Sequence, residues 1–441
     1  MATDPRRRGA RVLQGLRALC LSAGLLVLVP DAFAGTAADN AVDSASSAEV
    51  SPPLDAPVSP ATAAADSGDP ATAPLRIGVA TMAPGEIFFE RFGHNSIVVD
   101  DAALPEPVSY NFGYFDMDED GFIGRFVRGE MMYRLVALPW SLDRSLYAES
   151  GRGVTMQWLD LDPGQARALA DALAENARPE NARYRYNYFT DNCATRVRDA
   201  LDRTLGGALR QQLQVRSLGE TYRSEAVRLA SPAPWMWLGF DLAMGPSADA
   251  PLSRWEDGFI PMRLADDLRL ARHPDGRPLV AREAVVLPHR LPPEPAEFQT
   301  VWWRWLFAGL ALAAGWLWLQ GARPRLSALG GLTLWTVCGL LGAVMLALWL
   351  GTEHRFTWAN RNLLLMSPLC LALLPSGWRI WRGRPPGRGF RPVLLLVLTS
   401  AVAATFVLWV QQVPQPNAHW VALLLPLHAA AARVFLRDPS R

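Results

Sequence analysis

The sequence predicts an α+β extracytoplasmic domain followed by an all-α membrane domain of about five helices. Two observations point to this class. Strand-like alternation followed by helical spacing runs from about Leu75 to Gly207, and from Pro292 onward the text changes to five apolar stretches, four of them long enough to span a bilayer. Half of the 441 residues are hydrophobic and 17 are tryptophan, too long and too apolar a chain for one ordinary soluble domain. The net charge of +1 argues against a polyanionic partner, and no nucleic-acid motif is present.

Arg6, Arg7, Arg8, Arg11 and Arg17 precede an apolar stretch, 19–29, and Ala32-Phe33-Ala34 follows it. This pattern predicts a secretory signal over 1–34 cut after Ala34, with an uncleaved anchor as the alternative. Arg17, Ala18 and Leu19 before Cys20 do not form a lipoprotein-processing box. Residues 35–74 are mostly Ala, Ser, Pro, Thr and Asp, too poor in large apolar side chains to offset the entropy of ordering, and are expected to form a disordered tether.

A folded domain over 75–295 opens with the alternation of Leu75, Ile77 and Val79. Further strands are expected at 96–99, 108–115, 131–138 and 154–161. A helix then starts at Asp162, a cap, with Pro163 in its first position and Ala166, Leu169 and Leu173 on one face. A second helix begins at Cys193, capped by Asp191 or Asn192. Its face is Ala194, Val197, Leu201 and Leu205, and Gly206 and Gly207 stop it.

The membrane domain is expected over 300–437, with apolar stretches at 301–319, 326–350, 363–374, 392–410 and 420–436. The third is short and contains Pro368. With the α+β domain outside, the inner connections carry Arg323 and Arg325, then Arg379, Arg382, Arg384, Arg388 and Arg391, then Arg433, Arg437 and Arg441. Only Arg304, Arg355 and Arg361 lie near the outer span ends, as the positive-inside rule requires. Trp302, Trp303, Trp358, Trp378 and Trp420 suit interfacial anchors.

All 43 basic residues are arginine. Without lysine there is no Schiff base, Ser/Lys dyad or phosphate-loop lysine, and the nucleophile must be Ser, Thr, Cys or a carboxylate. Cys20, Cys338 and Cys370 lie in apolar runs, which leaves Cys193 as the one thiol of the α+β domain, free of any internal disulfide. In the first turn of a helix, unpaired N–H groups and the helix dipole favour its thiolate. The structural alternative is a small buried hydrophobe.

A thiolate needs a base, and His94, His273 and His289 are available in this domain. His94 follows Phe92-Gly93 and leads into the strand Ile97-Val98-Val99, so a rigid edge carries it. His273 and His289 lie in Pro/Arg-rich stretches that read as loops. A strand histidine ahead of a helix cysteine is the order of circularly permuted papain-like folds, resembling the lecithin retinol acyltransferase group and permuted NlpC-like hydrolases. Asn111, Asp191 and Asn192 are candidates to orient His94, each with an alternative role as a strand polar residue or a cap. A backbone N–H at the start of the Cys193 helix could serve an oxyanion. No cofactor or metal is expected. Asp116-Met117-Asp118-Glu119-Asp120-Gly121 matches half of a calcium loop, but Val127 stands where a bidentate Glu is needed, so a solvated turn is the expectation. His354 and His419 fall in outer loops, where interfacial structural roles are expected.

Several segments occur in one order: Phe-Gly-His-Asn-Ser at Phe92, Tyr-Asn-Phe-Gly-Tyr-Phe-Asp at Tyr110, Phe126 with Gly129 and Tyr133, and Tyr-Asn-Tyr-Phe-Thr-Asp-Asn-Cys-Ala-Thr-Arg from Tyr186 to Arg196. Together they resemble the periplasmic domain of the Lnb-type lipoprotein N-acyltransferases, over about 75–261. Thr352-Glu353-His354 and Asn360-Arg361-Asn362 before a short span resemble that family's five-helix membrane domain. The resemblance implies transfer of a fatty acyl chain from the glycerol of a diacylated lipoprotein to the α-amine of its N-terminal cysteine, at the outer face of a bacterial inner membrane. Partners would then be a lipid or lipoprotein substrate and the membrane. A membrane-tethered papain-like peptidase or amidase, a lipid hydrolase and a non-catalytic envelope binding protein stay open as alternatives.

Overall fold

Residues 75–215, 219–407, 409, 410 and 412–436 are described in the computed structural model. The expected signal and tether lie outside them. Alternating apolar residues build a seven-stranded sheet: β1 Arg76–Met82, β2 His94–Asp100, β3 Val108–Tyr114, β4 Met132–Pro139, β5 Val154–Leu159, β6 Arg183–Arg185 and β7 Val280–Leu287. Their order is β6-β4-β3-β2-β1-β5-β7, and each neighbouring pair is antiparallel. Both faces are covered, since Ile77, Val79, Ile97 and Val99 join one apolar cluster while Ala80, Met82, Val98 and Met156 join another.

The domain's helices are α1 Phe122–Arg128, α2 Trp140–Ser150, α3 Pro163–Asn176, α4 Cys193–Thr204, α5 Ala208–Leu213, α6 Tyr222–Ala230, α7 Pro234–Ala243, α8 Arg254–Asp257 and α9 Pro261–Leu270. In α3, Asp162 and Gln165 form a reciprocal capping box with Pro163 at the first position, as the sequence predicts. Ala194, Val197 and Leu201 of α4 are fully buried in the cluster that covers β1, β2 and β3. The sheet therefore serves as a rigid floor, with the first turn of α4 at one end of it. β6 and β7 were not among the expected strands: β6 has three residues, and β7 is an edge strand whose side chains are largely exposed, so neither carries a legible alternation. His273 and His289 lie outside regular elements, as expected.

Among the described residues, five segments are long and apolar enough to cross a membrane. Four are the helices α10 Trp302–Ala322, α11 Pro324–Gly351, α13 Phe390–Val407 and α14 Ala418–Leu436. The fifth, Arg361–Trp381, is broken into the 3-10 turns Arg361–Leu364 and Pro368–Leu373 and then α12 Leu374–Trp381. Pro368, which cannot continue an upstream helix, opens the second of these turns. Small residues let the spans approach closely: a Cβ on Gly309 would lie 2.5 Å from the Leu423 carbonyl oxygen, and one on Gly342 2.0 Å from that of Met366.

The two domains are joined by buried polar contacts. Asp241 at the end of α7 accepts from His419 Nε2 and Trp420 Nε1, each at 2.7 Å. Asn360 Nδ2 donates to the Leu242 and Ala243 carbonyls at 2.7 and 3.0 Å. The Gly245 N–H donates to the Phe356 carbonyl at 2.7 Å, and the Phe356 ring packs on Phe189 and Tyr222 at 4.8 and 5.1 Å. The Glu353 N–H donates to the Arg128 carbonyl at 2.8 Å, and His354 bridges the Tyr188 hydroxyl, at 3.1 Å, and the Phe126 carbonyl, at 3.0 Å. His354 and His419 thus hold the junction.

Candidate active site

Asn192, not Asp191, caps α4: its side chain accepts from the Thr195 N–H at 2.9 Å, and Thr195 Oγ1 accepts the Asn192 N–H at 2.7 Å. The Asn192 amide also donates to the Tyr188 and Phe259 carbonyls at 2.8 and 2.9 Å, which fixes the loop ahead of the helix. Asp191 pairs with Arg196, whose guanidinium stacks over Tyr184 at 4.1 Å. Neither Asp191 nor Asn192 reaches His94, so both fill the structural alternative.

The cap leaves Cys193 half-buried at the first helical position, beside His94 and close enough to the N–H groups of Asn95 and Ala194 for them to act on the thiol. Gly113 of β3, at φ +93°, lies opposite it, where a Cβ would sit 3.8 Å from the Cys193 Cβ and 3.6 Å from Tyr186. A side chain there would be strained in the left-handed region.

His94 Nε2 lies 3.0 Å from Asn111 Oδ1. The amide orientation follows from what lies beyond it: Asn111 Nδ2 donates to Asp143 Oδ2 at 3.1 Å and to Ser109 Oγ at 3.1 Å. Ser109 Oγ donates to the same Asp143 oxygen at 2.6 Å. With the NH₂ held by Asp143, Oδ1 must face the imidazole and accept from Nε2–H, which leaves Nδ1 for the thiol. The chain of contacts runs Cys193, His94, Asn111, Asp143, and its last member is only 3% exposed on α2.

Electrostatics act on both partners. Burial pushes the Cys193 thiol up, but the neighbouring His94 charge and hydrogen bond, with the Asn95 and Ala194 N–H groups, bring it below its ordinary value. Burial pushes His94 down, and Cys193, then Asp143 and Asn111, raise it above its ordinary value. Both shifts favour a thiolate–imidazolium pair.

The structure thus brings Cys193, His94 and Asn111 together and leaves His273 and His289 elsewhere: His273 lies 3.6 Å from Asp160, and His289 accepts the Gly153 N–H at 3.0 Å. Asp143 was missed by sequence reasoning, because an acid in the first turn of a helix reads as a solvated complement to the dipole. Its signal is the alternation of β3, which turns Ser109 and Asn111 away from the face of Tyr110 and Phe112 and requires a polar partner there. In the acidic run, Asp116 Oδ1 accepts the Asp118 N–H at 2.9 Å and Arg125 donates to the Asp120 carbonyl at 2.8 Å, the contacts of a turn leading into α1.

Residues 72–229 match the Lnb N-terminal periplasmic domain, and residues 300–438 match the Lnb transmembrane domain. The chain belongs to the Lnb family. No curated protein and no solved structure matches it. The Lnb periplasmic match spans His94, Asn111, Asp143 and Cys193, and the Lnb transmembrane match spans all five apolar segments. The chain is therefore a multi-pass membrane protein with a periplasmic domain.

Proposed function

We propose that this chain is a cysteine acyltransferase of the bacterial inner membrane that moves a fatty acyl chain from a lipid ester to an amine. The glyceryl ester of a diacylated lipoprotein is the donor that family membership suggests. In this reading His94 Nδ1 holds the Cys193 proton, and the thiolate attacks the ester carbonyl carbon. The Cys193 N–H, in the first turn of α4, would receive the developing oxyanion. As the tetrahedral adduct collapses, the C–O bond to glycerol breaks, His94 protonates the departing oxygen, and the acyl group stays on sulfur as a thioester. The amine then attacks the thioester, His94 takes its proton, and the C–S bond breaks to return the thiol. Asn111 and Asp143 position the imidazole.

The observation that carries the lipid reading is an aromatic run from the membrane junction to the thiol, exposed at its outer end and packed into the domain core at Tyr133. Phe126 stacks on Phe122 at 6.2 Å, Phe122 on Phe115 at 5.7 Å, Phe115 on Tyr133 at 4.9 Å, and Tyr133 on Tyr186 at 4.3 Å, beside Gly113 and Cys193. Phe89 joins from the loop before His94, 5.5 Å from Phe115. At the outer end Ile123 and Val127 are 70% and 56% exposed, on the helix that outer-loop residues Glu353 and His354 hold. The exposed apolar end of this run, Ile123, Phe126 and Val127 beside the membrane junction, suits an acyl chain leaving a bilayer better than a polar peptide.

The test is mass spectrometry of lipoprotein N-termini in cells lacking other N-acyltransferases. Wild type should give N-acylated termini and Cys193→Ala should give free amines. Identical termini in both would sink the reading, and free fatty acid released by purified wild type without amine acylation would make the protein a hydrolase.

A further inference from the structure

The segment Asn360-Arg361-Asn362 divides its labour. Asn360 binds the end of α7, and Asn362 accepts from Asn417 Nδ2 at 2.9 Å, so both asparagines serve the junction. The Arg361 N–H donates to Gln415 Oε1 at 2.9 Å. Its side chain belongs elsewhere: Arg361 lines an open cleft of about 630 Å³ with Pro246, Ser247, Gln412, Val407, Val410 and Val413. Among the described residues this guanidinium has no ion pair, and its Nε is buried without a hydrogen-bond partner.

An always-charged fork of donors with no acceptor is costly to desolvate and calls for an anion. The cleft contains no carboxylate to supply one. Its polar side, Ser247 and Gln412, belongs to the outer surface, because Ser247 lies beside Arg355 and the α7 junction. Its apolar side is made where the fourth span ends, with Val410 82% exposed. A charged pocket above and an apolar wall below match an amphiphile standing upright in the outer leaflet.

We propose that this cleft binds the phosphate of an anionic phospholipid, with Arg361 as the phosphate ligand and Val407, Val410 and Val413 against the upper acyl chains. The site is separate from the Cys193 site, and its occupancy does not depend on the reaction assigned there. A guanidinium offers two parallel N–H donors to one phosphate, which a neutral lipid cannot use. The apolar wall separates a lipid from free phosphate, which makes no use of it.

Native mass spectrometry of the purified full chain tests this, with phosphatidylglycerol, diacylglycerol of the same chains, and inorganic phosphate as separate probes. Phosphatidylglycerol should be retained about tenfold better than diacylglycerol, and Arg361→Gln should remove most of that difference, the loss of a charge-assisted contact. Arg433→Gln, at the other end of α14, should leave retention unchanged. Val410→Glu, a change at an exposed site that sets a carboxylate at the rim, should also displace the lipid and covers the case in which Arg361→Gln does not fold. Equal retention by wild type and the folded variants, or equal retention of diacylglycerol, overturns the proposal. Competition by inorganic phosphate at the same concentration as the lipid overturns the lipid assignment.

Discussion

Asn111 uses both ends of one amide, accepting from His94 and donating to Asp143, so its two predictions differ. Asn111→Ala removes the acceptor that holds the imidazole and should lower the acylation rate about 10–100-fold with little change in substrate KM. Asp143→Asn keeps the volume but turns an acceptor into a donor opposite the Asn111 NH₂ and Ser109 hydroxyl. It should flip the Asn111 amide and cost activity by a similar factor, measured by thioester formation. For pH, the sign follows from the causes acting on Cys193: burial raises it, and His94 with the Asn95 and Ala194 N–H groups together lower it further than burial lifts it. Iodoacetamide should therefore label Cys193 below the ordinary thiol value of 9.0, and His94→Ala, which keeps the burial and removes the neighbour that lowers the thiol most, should move the labelling midpoint up. Labelling of His94→Ala at wild-type pH would refute the pair. Cys193 and His94 were legible because a cap, a helix start and a strand edge are local patterns. Asp143 was not, because what makes it matter is the strand face it covers.

Among the elements, α4 depends most on one residue. Asn192→Ala loses the cap and two further hydrogen bonds to the Tyr188 and Phe259 carbonyls, so it should cost about 2 kcal/mol or more, the upper end for a cap, in thermal unfolding. It should also slow Cys193 labelling, since the cap sets the thiol's position. The four-residue α8 carries a different liability. Asp257 is buried, its Oδ1 has no partner, and burial together with nearby Glu225 pushes it up to about 7. A carboxyl raised in the folded state contributes stability that is complete below its unfolded value and is lost as pH rises through about 7. Asp257→Asn should therefore flatten the fall in melting temperature between pH 5 and 8. The long, strongly patterned elements α3, α4 and the spans were readable for the same reason that β6 and β7 were not. A strand of three residues or an exposed edge has no buried face to impose a period. The broken third span was half legible: Pro368 and the shortness of the apolar run marked it, but the 3-10 turns depend on packing against α11 at Gly342.

Across the whole molecule, the text changes at Pro292, but the packing does not stop there. Asp241 of the periplasmic domain is 5% exposed; its Oδ1 lies 3.9 Å from Arg223, and its Oδ2 takes hydrogen bonds from His419 and Trp420 of the fifth span. His419→Ala removes one of these donors and should cost about 1–3 kcal/mol, read as a lower melting temperature of the detergent-solubilised chain. A change confined to the membrane domain would then loosen α7 as well, which hydrogen exchange of residues 234–243 would report. This junction has a consequence for biosynthesis. The groups that complete the periplasmic domain, Phe356 and then His419 and Trp420, leave the ribosome after it. Phe356 arrives between the second and third spans to cover the Phe189 and Tyr222 rings, but until the fifth span has been inserted the Asp241 Oδ2 lacks its His419 and Trp420 donors. A chain halted after the fourth span should therefore be a ready target for envelope proteases, because its periplasmic domain still waits on the fifth span for the partners of Asp241.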